Sequence, residues 1–255
     1  MTNEGNLAIL TSRSVEIEAG WSHVVVIRSM AQHHAMSSKE VNYLFPLLKV
    51  EEVLGTCQYQ PNFTSAFLEM VRTRIGLSKS VVSGAGSTLA FARAVFAYIV
   101  AILHSGEYRL RYSEPLRDDF PRIPITNSAE LFYSLRDKGE EIIELEADHV
   151  APEQHAAFTE GGTQHVEYVQ YNPELQRVYI NQDQYFGNVP ENVFNFTIGG
   201  TIVVWQWLID RVGRSISNDE VAQAQSVIDC LRRLSEIPGE IDDIIDHFGG
   251  WPIGP

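Results

Sequence analysis

The 255-residue chain predicts an α+β fold, with antiparallel β-rich segments flanking a helical block (about 61–148) and C-terminal helices. Three patterns carry that expectation. Between about residues 61 and 148, apolar residues recur at three-, four- and seven-residue spacing, the period of an amphipathic helix. On either side lie short β-branched or alternating runs bounded by turn residues, the mark of strands. Near the end, Gly199-Gly200 and Gly213 bracket an apolar run, and Ser217–Glu220 has the residue order that starts a helix. The chain therefore reads as four blocks: β-rich 1–60, helical 61–148, β-rich with one helix 149–214, and a helical tail 215–255.

In chain order, Asn6–Ser12 and Trp21–Ile27 are expected strands, the second through the β-branched run Val24–Ile27. Ser37-Ser38-Lys39 is a polar turn before a third strand, Asn42–Val50. Pro61–Gly76 is an expected helix with Phe63, Phe67 and Val71 on one face, and Ser78–Gly86 a linker of small residues. A longer helix should run from Ser87, a candidate cap, through His104. It is apolar nearly all round, as a central core helix is. Ser128–Glu146 is a third helix, carrying Leu131, Leu135, Ile142 and Leu145. After a polar loop at 153–163, Val166–Tyr171 opens the second β-rich block. A turn at Asn172-Pro173 leads to a strand through Val178 and Ile180, since proline biases the residue before it away from helix. A turn at Gly187-Asn188 follows, then a buried helix over Thr201–Val212 stopped by Gly213. The last helix should start at Ser217, run to about Ser235 and be broken by Pro238-Gly239, leaving a short acidic helix at the end.

Composition narrows the function. A hydrophobic share of 44% without low-complexity tracts describes a folded globular chain. No apolar run is expected to reach the roughly 20 residues that cross a bilayer. The N-terminus lacks the basic-then-apolar order of a signal peptide. Cys57 and Cys230 stand far apart, as reduced thiols in a cytoplasm do. The His33-His34 pair has no Cys, Asp or further His at ligand spacing, so no metal site is expected. The net charge is −14, but 12 of the 33 acids lie in Gly139–His165 and Leu234–Pro255, which hold no Lys or Arg. The remainder is nearly balanced, at 21 acids against 19 bases.

The stretch Tyr171–Arg214 organises the rest. Tyr-Asn-Pro (171–173), Arg-Val-Tyr-Ile-Asn (177–181), Gln-Tyr-Phe-Gly-Asn-Val-Pro (184–190), Ile-Gly-Gly (198–200), Trp-Leu (207–208) and Asp-Arg-Val-Gly-Arg (210–214) resemble the C-terminal target-recognition region of the single-chain Type ISP restriction–modification enzymes. Upstream, Val41–Leu47, Ala97–Ser105 with Glu107-Tyr108-Arg109, and Asp119–Pro124 fit the same family. The resemblance covers most of the chain, through motifs of fold and not of catalysis. It implies a module that recognises a short double-stranded DNA sequence. The adenine methyltransferase, translocase and nuclease domains or subunits would be its partners, and it would need no cofactor of its own.

The residues agree that chemistry lies elsewhere. There is no Asn/Asp-Pro-Pro-Tyr loop for a flipped adenine, no GxxxxGK[ST] for ATP and no Gly-x-Ser-x-Gly elbow. Ser83–Ser87 is glycine-rich but follows no strand, and the acidic stretches contain no lysine of their own and read as solvated faces, not as a nuclease centre. DNA contact would instead use cations for phosphates, with amides, arginines and hydroxyls for base edges. Three groups qualify. One is Arg28, Lys39 and Tyr43 around the early strands, and a second is Arg109, Arg111 and Arg122 between tyrosines. The third is Asn181, Gln182, Gln184 and Tyr185, where amides could hold adenine bidentately. Each also has a plain structural reading, as a paired helix-end arginine or an ordinary polar turn. Arg211 and Arg214 could contact backbone phosphate, but they also fit a helix C-terminus, where cations favour the dipole. An alternative for the whole chain is an acidic protein-docking or DNA-mimicking module of the same kind of complex.

Overall fold

The computed structural model describes residues 6–15, 20–28, 41–53, 56–77, 85–150 and 153–253. The chain divides into two compact units, Met1–Ala147 with Ile237–Pro255, and Asp148–Glu236. Helices and small antiparallel sheets are mixed in both, which bears out the α+β expectation.

In the first unit, β1 (Ala8–Ser12), β2 (Val24–Ile27) and β3 (Asn42–Pro46) form an antiparallel sheet with β1, buried throughout, in the centre. The expected single strand from Asn42 to Val50 is two. Leu47 turns inward, its N–H bonded to Leu7 O at 2.7 Å, and the chain leaves as a separate hairpin of β4 (Leu48–Val53) and β5 (Thr56–Pro61). Pro61 closes β5, so α1 (Ser65–Arg74) starts later than expected, at Thr64, whose hydroxyl accepts from Phe67 N at 3.2 Å. Next come α2 (Ala85–His104), the short helices α3 (Gly106–Arg111) and α4 (Ser113–Asp118), and α5 (Ala129–Ala147).

Helices α2 and α5 form the core of this unit. Ala92, Val95, Ala97, Tyr98, Val100, Ala101 and Ile102 are fully buried, as are Phe132, Leu135, Ile142 and Ile143 opposite. The helices touch at Gly139, where a Cβ would lie 1.8 Å from Ala97 O, so only glycine fits. One sequence expectation is corrected here. Ser87–His104 is long and apolar enough, by length and composition, to cross a bilayer. Two thirds of that window is nonetheless buried inside the fold, because α2 has neighbours on most sides.

In the second unit, β6 (Ala157–Phe158), β7 (Gln170–Asn172), β8 (Arg177–Tyr179) and β9 (Tyr185–Gly187) form an antiparallel sheet of order β6-β9-β8-β7. Short α6 (Glu191–Phe194) follows, then β10 (Thr197–Ile198), β11 (Thr201–Ile202) and α7 (Val203–Ile209). The helix expected over Thr201–Val212 gives up Thr201 and Ile202 to a hairpin. Gly199 and Gly200, at φ 58° and 79°, make the two-residue turn that pairs Ile198 with Thr201. The helix also ends before Val212, at Ile209 with Asp210 as its cap, and Gly213, at φ 89°, turns the chain three residues later instead of stopping the helix.

The last helix, α8 (Asn218–His247), begins where the capping box predicts. Ser217 N donates to Glu220 Oε2 at 3.0 Å, and Glu220 N to Ser217 Oγ at 3.2 Å. The expected break at Pro238 does not occur. Proline deletes one backbone bond, but Ile237, Ile241 and Ile245 are fully buried and hold the helix on its course.

Candidate nucleic-acid interface

Side chains along a strand alternate between faces, and the four-stranded sheet shows what each face does. Val178 and Phe186 pair across β8 and β9 and point into the core, both fully buried, with Phe158 against Phe186 at 4.7 Å. Tyr171 belongs to this inner set and stacks on Phe194 at 4.2 Å. The other face therefore carries Gln170 and Asn172 of β7, Arg177 and Tyr179 of β8, and Tyr185 of β9. All five are exposed or half-buried. Tyr179 and Tyr185 pair across the strands at 5.3 Å. The Arg177 guanidinium lies 4.1 Å from the Tyr185 ring centroid and hydrogen-bonds Tyr179. No carboxylate among the described residues pairs with Arg177. The sheet thus presents a cation on an aromatic platform, with amides beside it. Next to it lies an open, largely polar concavity of about 550 Å³, lined by residues including Tyr168, Gln170, Asn172, Glu174, Tyr179 and Gln182.

The loop from β8 to β9 separates the amides of the third candidate group. Asn181 is buried and has every polar atom engaged. Its Nδ2 donates to His165 O at 2.9 Å and to Gln184 Oε1 at 3.2 Å, while Oδ1 accepts from Asp183 N at 3.0 Å and Gln184 N at 2.7 Å. Gln184 is 2% exposed and fastens the 161–164 loop. Its Oε1 accepts from Gln164 N at 2.7 Å, and its Nε2 donates to Gly161 O at 2.5 Å. Gly162, at φ 103°, lets that amide approach, since a Cβ there would lie 2.6 Å from Gln184 Cδ. Both residues hold the hairpin in shape and leave no group for a base. Gln182 is exposed on the concavity, and Tyr185 stands on the platform.

Sequence reasoning passed over Gln170, Arg177 and Tyr179. The signal was present: in Arg177-Val178-Tyr179-Ile180 the apolar residues alternate with an arginine and a tyrosine, which places those two together on the outward face.

In the first unit the candidates separate. Tyr43 and Phe45 on β3 meet the Phe120 ring edge-on at 4.9 and 5.4 Å. Arg122 is exposed and lines, with Phe120, Tyr112 and Asp119, a cavity of about 590 Å³. Arg111 is exposed and pairs with Glu107 at 3.2 Å. Arg109 is different. Its Nε donates to Leu103 O at 2.7 Å and the guanidinium lies 5.7 Å from the Trp21 ring, so the enclosed head group is turned to the fold. Burial pulls its pKa down to about 10, against the opposing pull of Glu146 and Asp242. Arg28 follows β2, half-buried and already engaged. Lys39 and the His33-His34 pair lie outside the described residues.

Arg211 and Arg214 both bind Glu220, at 3.1 and 2.5 Å. The hydrogen bond from Arg214, helped by Ser217 N–H and Arg211, holds the Glu220 carboxyl down at about 2. Cys57 and Cys230 are free thiols, the first exposed and the second buried. Among the described residues no three His, Cys, Asp or Glu stand close enough to hold a metal ion.

Comparison with solved structures finds a similar fold in several chains, three of them from complexes with DNA or a DNA mimic. The ATP-dependent Type ISP restriction-modification enzyme LlaBIII bound to DNA is 15% identical, with a TM-score of 0.68 over 92% of this chain and 16% of its own. A nuclease-deletion mutant of the Type ISP enzyme LlaGI, in complex with a DNA substrate mimic, is 16% identical, with a TM-score of 0.63 over 92% of this chain and 21% of its own. The DrdV–DNA complex is 17% identical, with a TM-score of 0.65 over 98% of this chain and 25% of its own. This chain thus spans a quarter or less of each of those polypeptides. No curated protein matches it. The family model described as the Type ISP C-terminal specificity domain matches residues 1–237, and the chain belongs to that family.

Proposed function

We propose that this chain recognises a short double-stranded DNA sequence on behalf of a restriction–modification enzyme. It supplies no catalytic group or cofactor, and it positions the duplex for adenine methyltransferase, translocase and nuclease parts carried elsewhere, in a cytoplasm. The observation that carries this reading is the uncovered face of the four-stranded sheet, where Arg177, Tyr179, Tyr185 and Gln170 stand together in a member of a specificity-domain family. The major groove admits a β-ribbon, arginine and amide side chains match base edges there, and tyrosine hydroxyls reach phosphates. Tyr43, Arg111 and Arg122 on the first unit are the accompanying backbone contacts. The formal charge of −14 does not oppose this, because salt screens charges beyond about 10 Å and 12 of the 33 acids lie in Gly139–His165 and Leu234–Pro255, outside strands β7, β8 and β9.

The test is fluorescence anisotropy with a pool of duplexes carrying a randomised core, across a salt series, with the chain alone and beside a methyltransferase part. Affinity should fall linearly with salt on logarithmic axes, as cations release counterions from phosphates. Absence of salt-dependent binding in both settings would overturn the reading. Tight binding to the methyltransferase part with DNA excluded would favour the acidic docking alternative.

A further inference from the structure

We infer that the concavity beside the β7–β8 hairpin reads adenine, with Gln170 and Gln182 as the specificity-determining side chains. The inference rests on the DNA-recognition reading and deepens it. Five amides of the sheet region face different fates. Asn181 and Gln184 are buried with their polar atoms bonded to backbone and to each other. Asn172 has its carbonyl oxygen bonded to Leu175 N at 3.1 Å, where it shapes the turn. Gln170 and Gln182 are exposed, line the same concavity, and carry no side-chain hydrogen bond among the described residues. Each therefore keeps a free donor and a free acceptor side by side.

That pairing selects one base. In the major groove adenine offers an acceptor, N7, next to a donor, the N6 amine, and an amide matches both at once. Guanine offers two adjacent acceptors, so the amide oxygen would face O6 or N7 in repulsion. Cytosine offers a donor alone and thymine an acceptor with a methyl group. Glu174 is the acid on the lining, and an acceptor-only carboxylate suits the N6 amine while it rejects guanine O6. Tyr168 and Tyr179 supply the walls. A concavity lined mostly by polar groups does not suit a largely apolar small ligand, whereas it suits the polar edge of a base pair.

The experiment uses the full chain and a pool of duplexes with a randomised core. Bound duplexes are enriched and sequenced, and each adenine of the winner is then replaced by 7-deaza-adenine, which removes the N7 acceptor. One replacement should weaken wild-type binding roughly tenfold, the size of a lost bidentate contact. The same replacement should leave the Gln170→Ala/Gln182→Ala double variant unchanged. A second variant, Gln182→Glu, removes the donor and should shift the enriched base at one position from adenine to cytosine. Both positions are exposed, so thermal melting should show the fold intact. If duplexes are enriched but no 7-deaza replacement matters, or the variants keep the wild-type base preference, the inference fails while DNA recognition stands. If no duplex is bound in a salt-dependent way, both fail.

Discussion

Asn181 and Gln182 are neighbours, and the structure assigns them opposite jobs. Truncation of each in turn should separate stability from binding. Asn181→Ala removes four hydrogen bonds and leaves Gln184 N, buried behind it, without a partner. An orphaned buried donor costs about 1–3 kcal/mol, and each lost bond about 1 kcal/mol more where water cannot replace it. Water reaches Asp183 N, so the expected loss is about 3 kcal/mol. Urea denaturation followed by circular dichroism should show the midpoint falling with an unchanged slope. Gln182→Ala should move the midpoint by less than about 0.5 kcal/mol, as exposed substitutions do, while weakening duplex binding. Unchanged stability in Asn181→Ala together with a selective loss of DNA affinity would refute the argument, since Asn181 would then be reading bases itself.

Further outcomes follow from other contacts. Arg109→Ala should destabilise by about 1–2 kcal/mol, because Leu103 O loses its donor and the Trp21 ring its cation, yet leave duplex affinity unchanged; Arg122→Ala should do the reverse. Melting and anisotropy on both variants check this. Gly139→Ala forces α2 and α5 apart against a 1.8 Å overlap and should cost about 3 kcal/mol or more, measured by urea denaturation. The Glu220 carboxyl should titrate at about 2 by carbon-detected NMR, and Arg214→Ala should return it towards the usual carboxylate range. Because that pKa is depressed in the fold, its stabilising effect is complete above the unfolded value of about 4.3 and disappears as pH falls through about 2.

Where a signal was local, the sequence carried it. The Ser217–Glu220 box starts α8 as read, the glycines at 199, 200 and 213 turn the chain where expected, and α2 is the apolar helix its composition promised. Expectations failed where a distant partner decides. Pro238 looks like a stop, but three buried isoleucines on successive turns outweigh one missing backbone bond. The β4–β5 hairpin was hard to read because Val50, Cys57 and Tyr59, although they alternate with polar residues, are exposed, so no buried stripe marks its strands. Helices α3 and α4 hid among arginines, and only the Ser105 hydroxyl accepting from Tyr108 N at 2.9 Å marks where α3 begins.

The candidate site was half legible for the same reason. Composition cannot tell a saturated amide from a free one. The carbonyls that occupy Asn181 and Gln184 belong to His165 and Gly161, 16 and 23 residues away, and no spacing rule reaches them. Alternation is a local rule, and it places Arg177 and Tyr179 on the open face once Val178 and Ile180 are known to be core.

The most direct measurement of the central idea is hydroxyl-radical footprinting of the chain with and without its enriched duplex, read by mass spectrometry. DNA should protect Tyr179, Tyr185 and Tyr168 from oxidation while Tyr98 and Tyr108, already inside the fold, stay constant. Tyrosines of the sheet that remain equally oxidised under saturating duplex, with protection appearing elsewhere, would contradict it.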